Sequence, residues 1–165
     1  MEDKATILDS GDKWLVGAKI VIIAPASEIF KLVANPHLHS QIDGSKKVRG
    51  KMIGPEKLSL GSVFFMKMKV GIPYIMKNKV VEYKENTLIG WRTLARNIWR
   101  YELKSLDNGS TEVSSWMDGR TAPKFLMKRE ITWAAKANAK TLVNLKNFVE
   151  RRWVNRIKTP LAPGW

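Results

Sequence analysis

The chain has 165 residues, 44% of them apolar, and carries 29 Lys and Arg against 15 Asp and Glu, a net charge of +14. That length and apolar content suit one domain with a sizeable core and exclude a disordered polymer. The absence of cysteine removes disulfides, thiolate metal sites and a cysteine nucleophile. The start, MEDKATILDSGDK, is acidic and polar rather than leader-like, and the longest apolar run, Ile20–Ala26, is far below the roughly 20 residues that span a bilayer. The expectation is a cytoplasmic protein forming a single domain over 1–165, with a core at 13–152 and a tail at 153–165.

Lys13–Ala24 is rich in β-branched residues and reads as a strand, with Trp14, Val16, Ala18, Ile20 and Ile22 on one face. Pro25 opens a helix whose apolar side is Ile29, Phe30, Leu32 and Val33; Asn35-Pro36 interrupts it, and a second short helix is expected from Pro36 to near Gln41. From Lys46 to Asp118 the period is two. Strands are predicted near 47–53, 62–70, 75–84, 87–94, 98–106 and 111–118, with turns at Gly54-Pro55, Gly71-Ile72-Pro73, Glu85-Asn86, Ala95-Arg96-Asn97 and Asp107-Asn108-Gly109. Short links between consecutive strands make an antiparallel meander. Pro123 then begins a long amphipathic helix to about Arg152. Met127, Ile131, Ala134, Ala135, Leu142, Leu145, Val149 and Trp153 share one arc with Asn138; Arg129, Lys136, Lys140, Asn147 and Arg151 share the other.

The segments VIIAPASEIFKLVANPHLHSQIDGS, GIPYIMKNKVVEY, LIGWR, WRYEL and GSTEVSSWMD, in this order before a Pro-led final helix, resemble the polyketide cyclase/dehydrase branch of the START-like (SRPBCC) superfamily. The resemblance covers residues 13 to about 150. It implies an α+β helix-grip fold: a curved seven-stranded antiparallel sheet around the C-terminal helix, with two short helices between the first two strands. It also implies a hollow between sheet and helix for a hydrophobic or amphipathic small molecule, and no particular reaction.

Strand alternation sets Phe64, Met66 and Met68 on the face opposite Lys67 and Lys69, and Met76 and Asn78 opposite Lys77 and Lys79. Met117 and Met127 are also expected inward, and adaptable methionines suit a ligand wall as well as a filled core. Trp91, Trp99 and Tyr101 are expected on the same side, with polar atoms that need partners once buried. Asn78, Ser115 and Asn138 interrupt apolar faces, so they either orient a ligand's polar group or satisfy one another. The candidate ligand-binding set is therefore Phe64, Met66, Met68, Met76, Asn78, Trp91, Trp99, Tyr101, Ser115, Met117, Ile131, Asn138 and Leu142. His39 with Asp43 offers an acid–base pair at the mouth, against a plainer capping or surface role; Tyr101, Asn138 and His39 are the candidates for any proton handling.

His37 and His39 do not share a helix face, so no metal site is expected, and no phosphate-loop or dinucleotide motif calls for a cofactor. Residues 119–165 hold a net +9, much of it along the outer arc of the last helix. That stripe is either a solvated face or a site for an anionic membrane surface; no nucleic-acid-binding motif accompanies it, and a membrane ranks above nucleic acid. The first functional reading is a carrier or sequestering module for one lipid, polyketide or isoprenoid-type molecule. The alternatives are an aromatase/cyclase-type enzyme and a surface-binding protein using the basic helix. The ligand and the oligomeric state are not encoded legibly.

Overall fold

A computed structural model describes residues 4–50 and 52–159. Seven antiparallel strands form one open sheet in the order β1-β2-β7-β6-β5-β4-β3. They are β1 Thr6–Leu8, β2 Leu15–Ile22, β3 Val63–Val70, β4 Ile72–Lys84, β5 Leu88–Thr93, β6 Ile98–Ser105 and β7 Thr111–Asp118. Between β2 and β3 lie helix α1, Ala26–Val33, a 3-10 turn at Pro36–Leu38 and a single helical turn α2, His39–Ile42. Helix α3, Lys124–Lys158, has 35 residues and is about 52 Å long at 1.5 Å per residue. The architecture is the α+β helix-grip arrangement that the family resemblance implied.

Four boundaries differ from the sequence expectation. The described residues of the segment 47–53 do not form a strand; Val48 and Ile53 make isolated bridges to Met68 and Phe65. The seventh strand is β1 instead, three residues whose shortness hides any period. The turn expected at 71–73 is tighter, because Gly71 takes a φ of +73° and lets Val70 pair with Ile72, a left-handed conformation glycine adopts without strain. The tail expected from residue 153 is helical as far as Lys158; Pro160, Pro163 and Trp165 lie outside the described residues.

The meander puts β7 beside β2, so the first long strand and the last share a ladder from Leu15↔Asp118 to Ile22↔Thr111. Ala18, Ile20 and Ile22 face inward there, and α3 packs over them with Leu142, Leu145 and Val149. Phe64, Val80, Ile89, Leu103 and Val113 continue this core. Met117, Met127 and Ala134 form a second cluster with Trp14, Trp99 and Ile131 near the start of α3. Lys146, unexpectedly, points inward. Its stem is buried and its Nζ donates to the Val21 carbonyl at 3.2 Å and the Glu150 carboxylate at 2.6 Å, so both stem and charge are accommodated.

Candidate ligand-binding site

Between the inner face of β3–β6 and helix α3 lies a cavity of about 130 Å³. The strands supply Met66 and Met68 from β3, Met76 and Asn78 from β4, Trp91 and Thr93 from β5, and Trp99 and Tyr101 from β6. These alternate with outward residues, so the period of two that makes the sheet amphipathic also builds the wall. Helix α3 adds Glu130, Trp133, Ala137, Asn138 and Thr141, and the segment after α1 adds His39, Ile42, Asp43, Ser45, Lys47 and Val48.

Asp43-Gly44-Ser45 holds that segment against α3. The Asp43 carboxylate accepts from the Ser45 N–H at 2.9 Å, the Ser45 hydroxyl at 2.6 Å and the Val48 N–H at 3.0 Å. The Gly44 N–H donates to Thr141 Oγ1 at 2.8 Å. A Cβ at residue 44 would lie 2.5 Å from the Thr141 nitrogen and 2.8 Å from the Ala137 carbonyl oxygen, so only glycine permits this approach. Asp43 is thereby a structural clasp; its backbone N–H donates to the His39 carbonyl at 2.9 Å, and no hydrogen bond joins the two side chains.

The backbone of His39 caps the 3-10 turn, its N–H donating to the Pro36 carbonyl, but its side chain is not at the surface. It is buried, stacked on Trp91 with centroids 5.0 Å apart and edge-on to Phe64 at 6.0 Å. Its Nε2 lies 2.8 Å from the Val33 carbonyl oxygen. A carbonyl only accepts, so Nε2 carries the proton and Nδ1 is a bare acceptor. Burial lowers its pKa to about 4, against the opposing pull of the Val33 carbonyl; the ring is neutral at pH 7 and a poor proton acceptor. Burial pushes the Tyr101 phenol well above its ordinary value, with Asp43 adding to the effect and Ser115 opposing it, so Tyr101 stays a neutral donor.

Two buried amides mark the polar part of the cavity. Asn78 donates Nδ2 to the Met76 carbonyl at 3.1 Å, and its Oδ1 has no hydrogen-bond partner among the described residues. Asn138 accepts from the Ser115 hydroxyl at 3.2 Å, and its Nδ2 is likewise without a partner. Both residues are almost wholly buried, 1% and 4% exposed. The two residues that carry this unmet acceptor and unmet donor line the same cavity, from β4 and from α3.

The rim is more polar. Lys47 Nζ sits 3.0 Å from the Trp133 ring centroid, and Trp133 stacks on Trp99 at 6.1 Å. Burial lowers the Lys47 pKa, opposed by Glu130, and burial raises that of Glu130, opposed by Lys47. Tyr74, 40% exposed, is also raised by burial and by Glu130.

Of the thirteen residues expected to bind ligand, Met66, Met68, Met76, Asn78, Trp91, Trp99, Tyr101 and Asn138 line the cavity. Ser115 does not line it and reaches it through its neighbours Asn138 and Tyr101. Phe64 and Leu142 are solid core, and Met117 and Ile131 belong to the second cluster. Sequence reasoning missed Glu130, Trp133, Ala137 and Thr141. Their spacing of three, four and four places them one step around α3 from the apolar arc, which is the signal that would have found them. Among the described residues, no group of three or more His, Asp or Glu gathers as a metal site would require, and no helix is long and apolar enough to cross a membrane.

No family model matches the chain. It is 38% identical over 138 residues to the uncharacterised protein Rv0088 of Mycobacterium tuberculosis, a match covering 81% of this chain and 61% of that one. The chain thus spans about three-fifths of the length of the curated relatives it matches. Among solved structures it resembles protein Ms6760 from Mycobacterium smegmatis, with a TM-score of 0.65, 12% identity, and coverage of 90% of this chain and 99% of that one. It also resembles the Polyketide_cyc-like protein Cgl2372 from Corynebacterium glutamicum, with a TM-score of 0.59, 16% identity, and coverage of 89% and 98%. The chain therefore has the helix-grip fold of the polyketide cyclase-like SRPBCC proteins.

Proposed function

We propose that the chain binds one small, predominantly apolar molecule carrying an uncharged polar group, and acts as its carrier or sequestering protein. The observation that carries this reading is the pair of buried, half-satisfied amides, Asn78 and Asn138, in a cavity whose sheet side is walled mainly by methionine and aromatic rings. A buried polar group without a partner costs about 1–3 kcal/mol, and a ligand that donates to Asn78 Oδ1 and accepts from Asn138 Nδ2 recovers it. Asp43 is already committed to three donors, and His39 is neutral, so the interior favours an uncharged group. The cavity takes about one ring or a short chain, and a longer molecule of lipid, polyketide or isoprenoid type extends past the rim. Weak proton-transfer chemistry at His39 and Tyr101 supports binding over catalysis.

Native and denaturing mass spectra of the purified protein, with an organic extract of the same sample, test this. A discrete mass held natively and released on denaturation is the expected result. A protein that arrives empty and takes up no fatty acid, prenyl alcohol or alkylphenol would overturn it.

A further inference from the structure

The cavity rim is surrounded by exposed apolar side chains on three separate elements. Ile72 and Ile75 at the β3–β4 hairpin are 79% and 60% exposed, Leu94 in the β5–β6 turn 74%, and Phe125 at the start of α3 76%. The register places all three at one end of the sheet. Asn78 pairs with Thr93, Arg92 with Ile98, and Ile98 with Asp118, from which the chain enters α3. From Asn78 the hairpin runs on to Ile72, about 20 Å of strand at 3.3 Å per residue. Tyr74, Ala95, Glu130 and Trp133, one or two from each element, line the same cavity.

The same three segments are strongly cationic. Lys67, Lys69, Lys77 and Lys79 flank the hairpin tip, Arg96 follows Leu94, and Lys124, Lys128 and Arg129 surround Phe125; Glu130 is the one acid among them. The acids Asp9 and Asp12, in the β1–β2 connection, stand at this same end of the sheet on its β1 side, with Asp12 acting on Arg120 next to the start of α3; the hairpin tip and the β5–β6 turn carry no acid. Lysines on β3 also protect an open strand edge, but edge protection gives no reason for exposing Ile72, Ile75, Leu94 and Phe125. Apolar tips inside a ring of cations match an anionic bilayer surface, into which aliphatic and aromatic side chains insert while lysine and arginine pair with headgroups.

We propose that this end of the molecule docks on anionic phospholipid membranes, bringing the cavity rim against the bilayer. The docking surface is the hairpin, the β5–β6 turn and the start of α3, rather than the basic stripe on the outer arc of that helix. On the stripe, with Lys136, Lys140 and Arg151, the exposed apolar side chains beyond the start of α3 are Val154 and Ile157, at the far end of the helix from the residues that line the cavity. Docking depends on surface residues and not on the occupant of the cavity.

Flotation with vesicles of phosphatidylcholine and phosphatidylglycerol, against pure phosphatidylcholine, at about 50 and about 500 mM salt tests the proposal. The variants are Ile72→Asp/Ile75→Asp on the hairpin and Lys136→Glu/Lys140→Glu on the stripe. Expected is binding to anionic vesicles that falls at least about tenfold at high salt and in the hairpin variant, and stays within about twofold in the stripe variant. Phe125→Asp, on a separate element, gives the same loss should the hairpin variant fold poorly. The double variant Asn78→Leu/Asn138→Leu floats like the wild type, which separates docking from cavity binding. The proposal is overturned by absent binding to anionic vesicles, by loss in the stripe variant alone, by a dimer that the hairpin substitutions dissociate, or by duplex DNA binding that the same substitutions abolish while vesicles are ignored.

Discussion

Replacing Asn138 with leucine separates a ligand-binding amide from a structural one. Leucine has the same branched skeleton, so shape is nearly kept at a position 4% exposed. The change removes an Nδ2 that has no partner among the described residues, worth about 1–3 kcal/mol of relieved burial cost. It also strips Ser115 of the acceptor 3.2 Å from its hydroxyl, a loss of about 1 kcal/mol. The single variant of the ligand-free protein should therefore be between neutral and about 2 kcal/mol more stable. Ser115→Ala/Asn138→Leu, which removes both polar groups, should be more stable by about 1–2 kcal/mol. For a chain of this length each kcal/mol raises the melting temperature by about 3 °C. Urea denaturation of stripped protein gives the free energies, and uptake of a neutral apolar fluorophore gives the binding cost, expected to be at least about tenfold. A double variant destabilised by more than about 2 kcal/mol would show that the amide holds the fold together, and the reasoning would fail.

Met68→Trp should fill the cavity from the β3 side, abolish fluorophore uptake and leave the circular dichroism spectrum intact; undiminished uptake would move the pocket elsewhere. Gly44→Ala should cost about 2–3 kcal/mol, because the new methyl meets the backbone of α3 at 2.5 Å; denaturant midpoints check it, and a neutral result would dissolve the clasp between residues 43–45 and the helix. His39 should make stability pH-dependent. Its folded pKa of about 4 lies below the ordinary 6.5, so the unfolded chain binds the proton first. Stability is complete above about pH 6.5 and falls by up to about 3 kcal/mol as the pH drops to about 4. His39→Phe should flatten that window relative to the wild type, and an unchanged slope would place the transition on other groups.

Most of the frame was legible because it rests on strong periods. Met66 and Met68 opposite Lys67 and Lys69, and Asn78 opposite Lys77 and Lys79, fix the inner face of β3 and β4 from alternation alone. Asn138 stood out as a polar break in an apolar arc, and it lines the cavity. The errors have local causes. Thr6–Leu8 is too short to show a period, whereas 47–53 shows one but is held by two bridges and the Asp43 clasp rather than a ladder. Met117 and Met127 point inward as expected, yet helix α3 crosses the sheet so that they meet each other, Ala122 and Ala134 away from the cavity. The part of the wall contributed by residues 39–48 comes from a segment too irregular for a period to indicate which side chains face in. His39, read as half of an acid–base pair or as a plainer capping or surface residue, has its side chain fixed by packing against Trp91 and Phe64.

The methionine methyl groups give the most direct test of the cavity. Met66, Met68 and Met76, half-buried, line it, while Met117 and Met127 are fully buried in the second cluster. Methyl-labelled methionine spectra during titration with 2-naphthol, a neutral apolar molecule with one hydroxyl, should show saturable shifts at Met66, Met68 and Met76, none at Met117 or Met127, and none at all in Asn78→Leu/Asn138→Leu. Shifts spread evenly over both groups, or three silent cavity methyls, would contradict a ligand site between the sheet and α3.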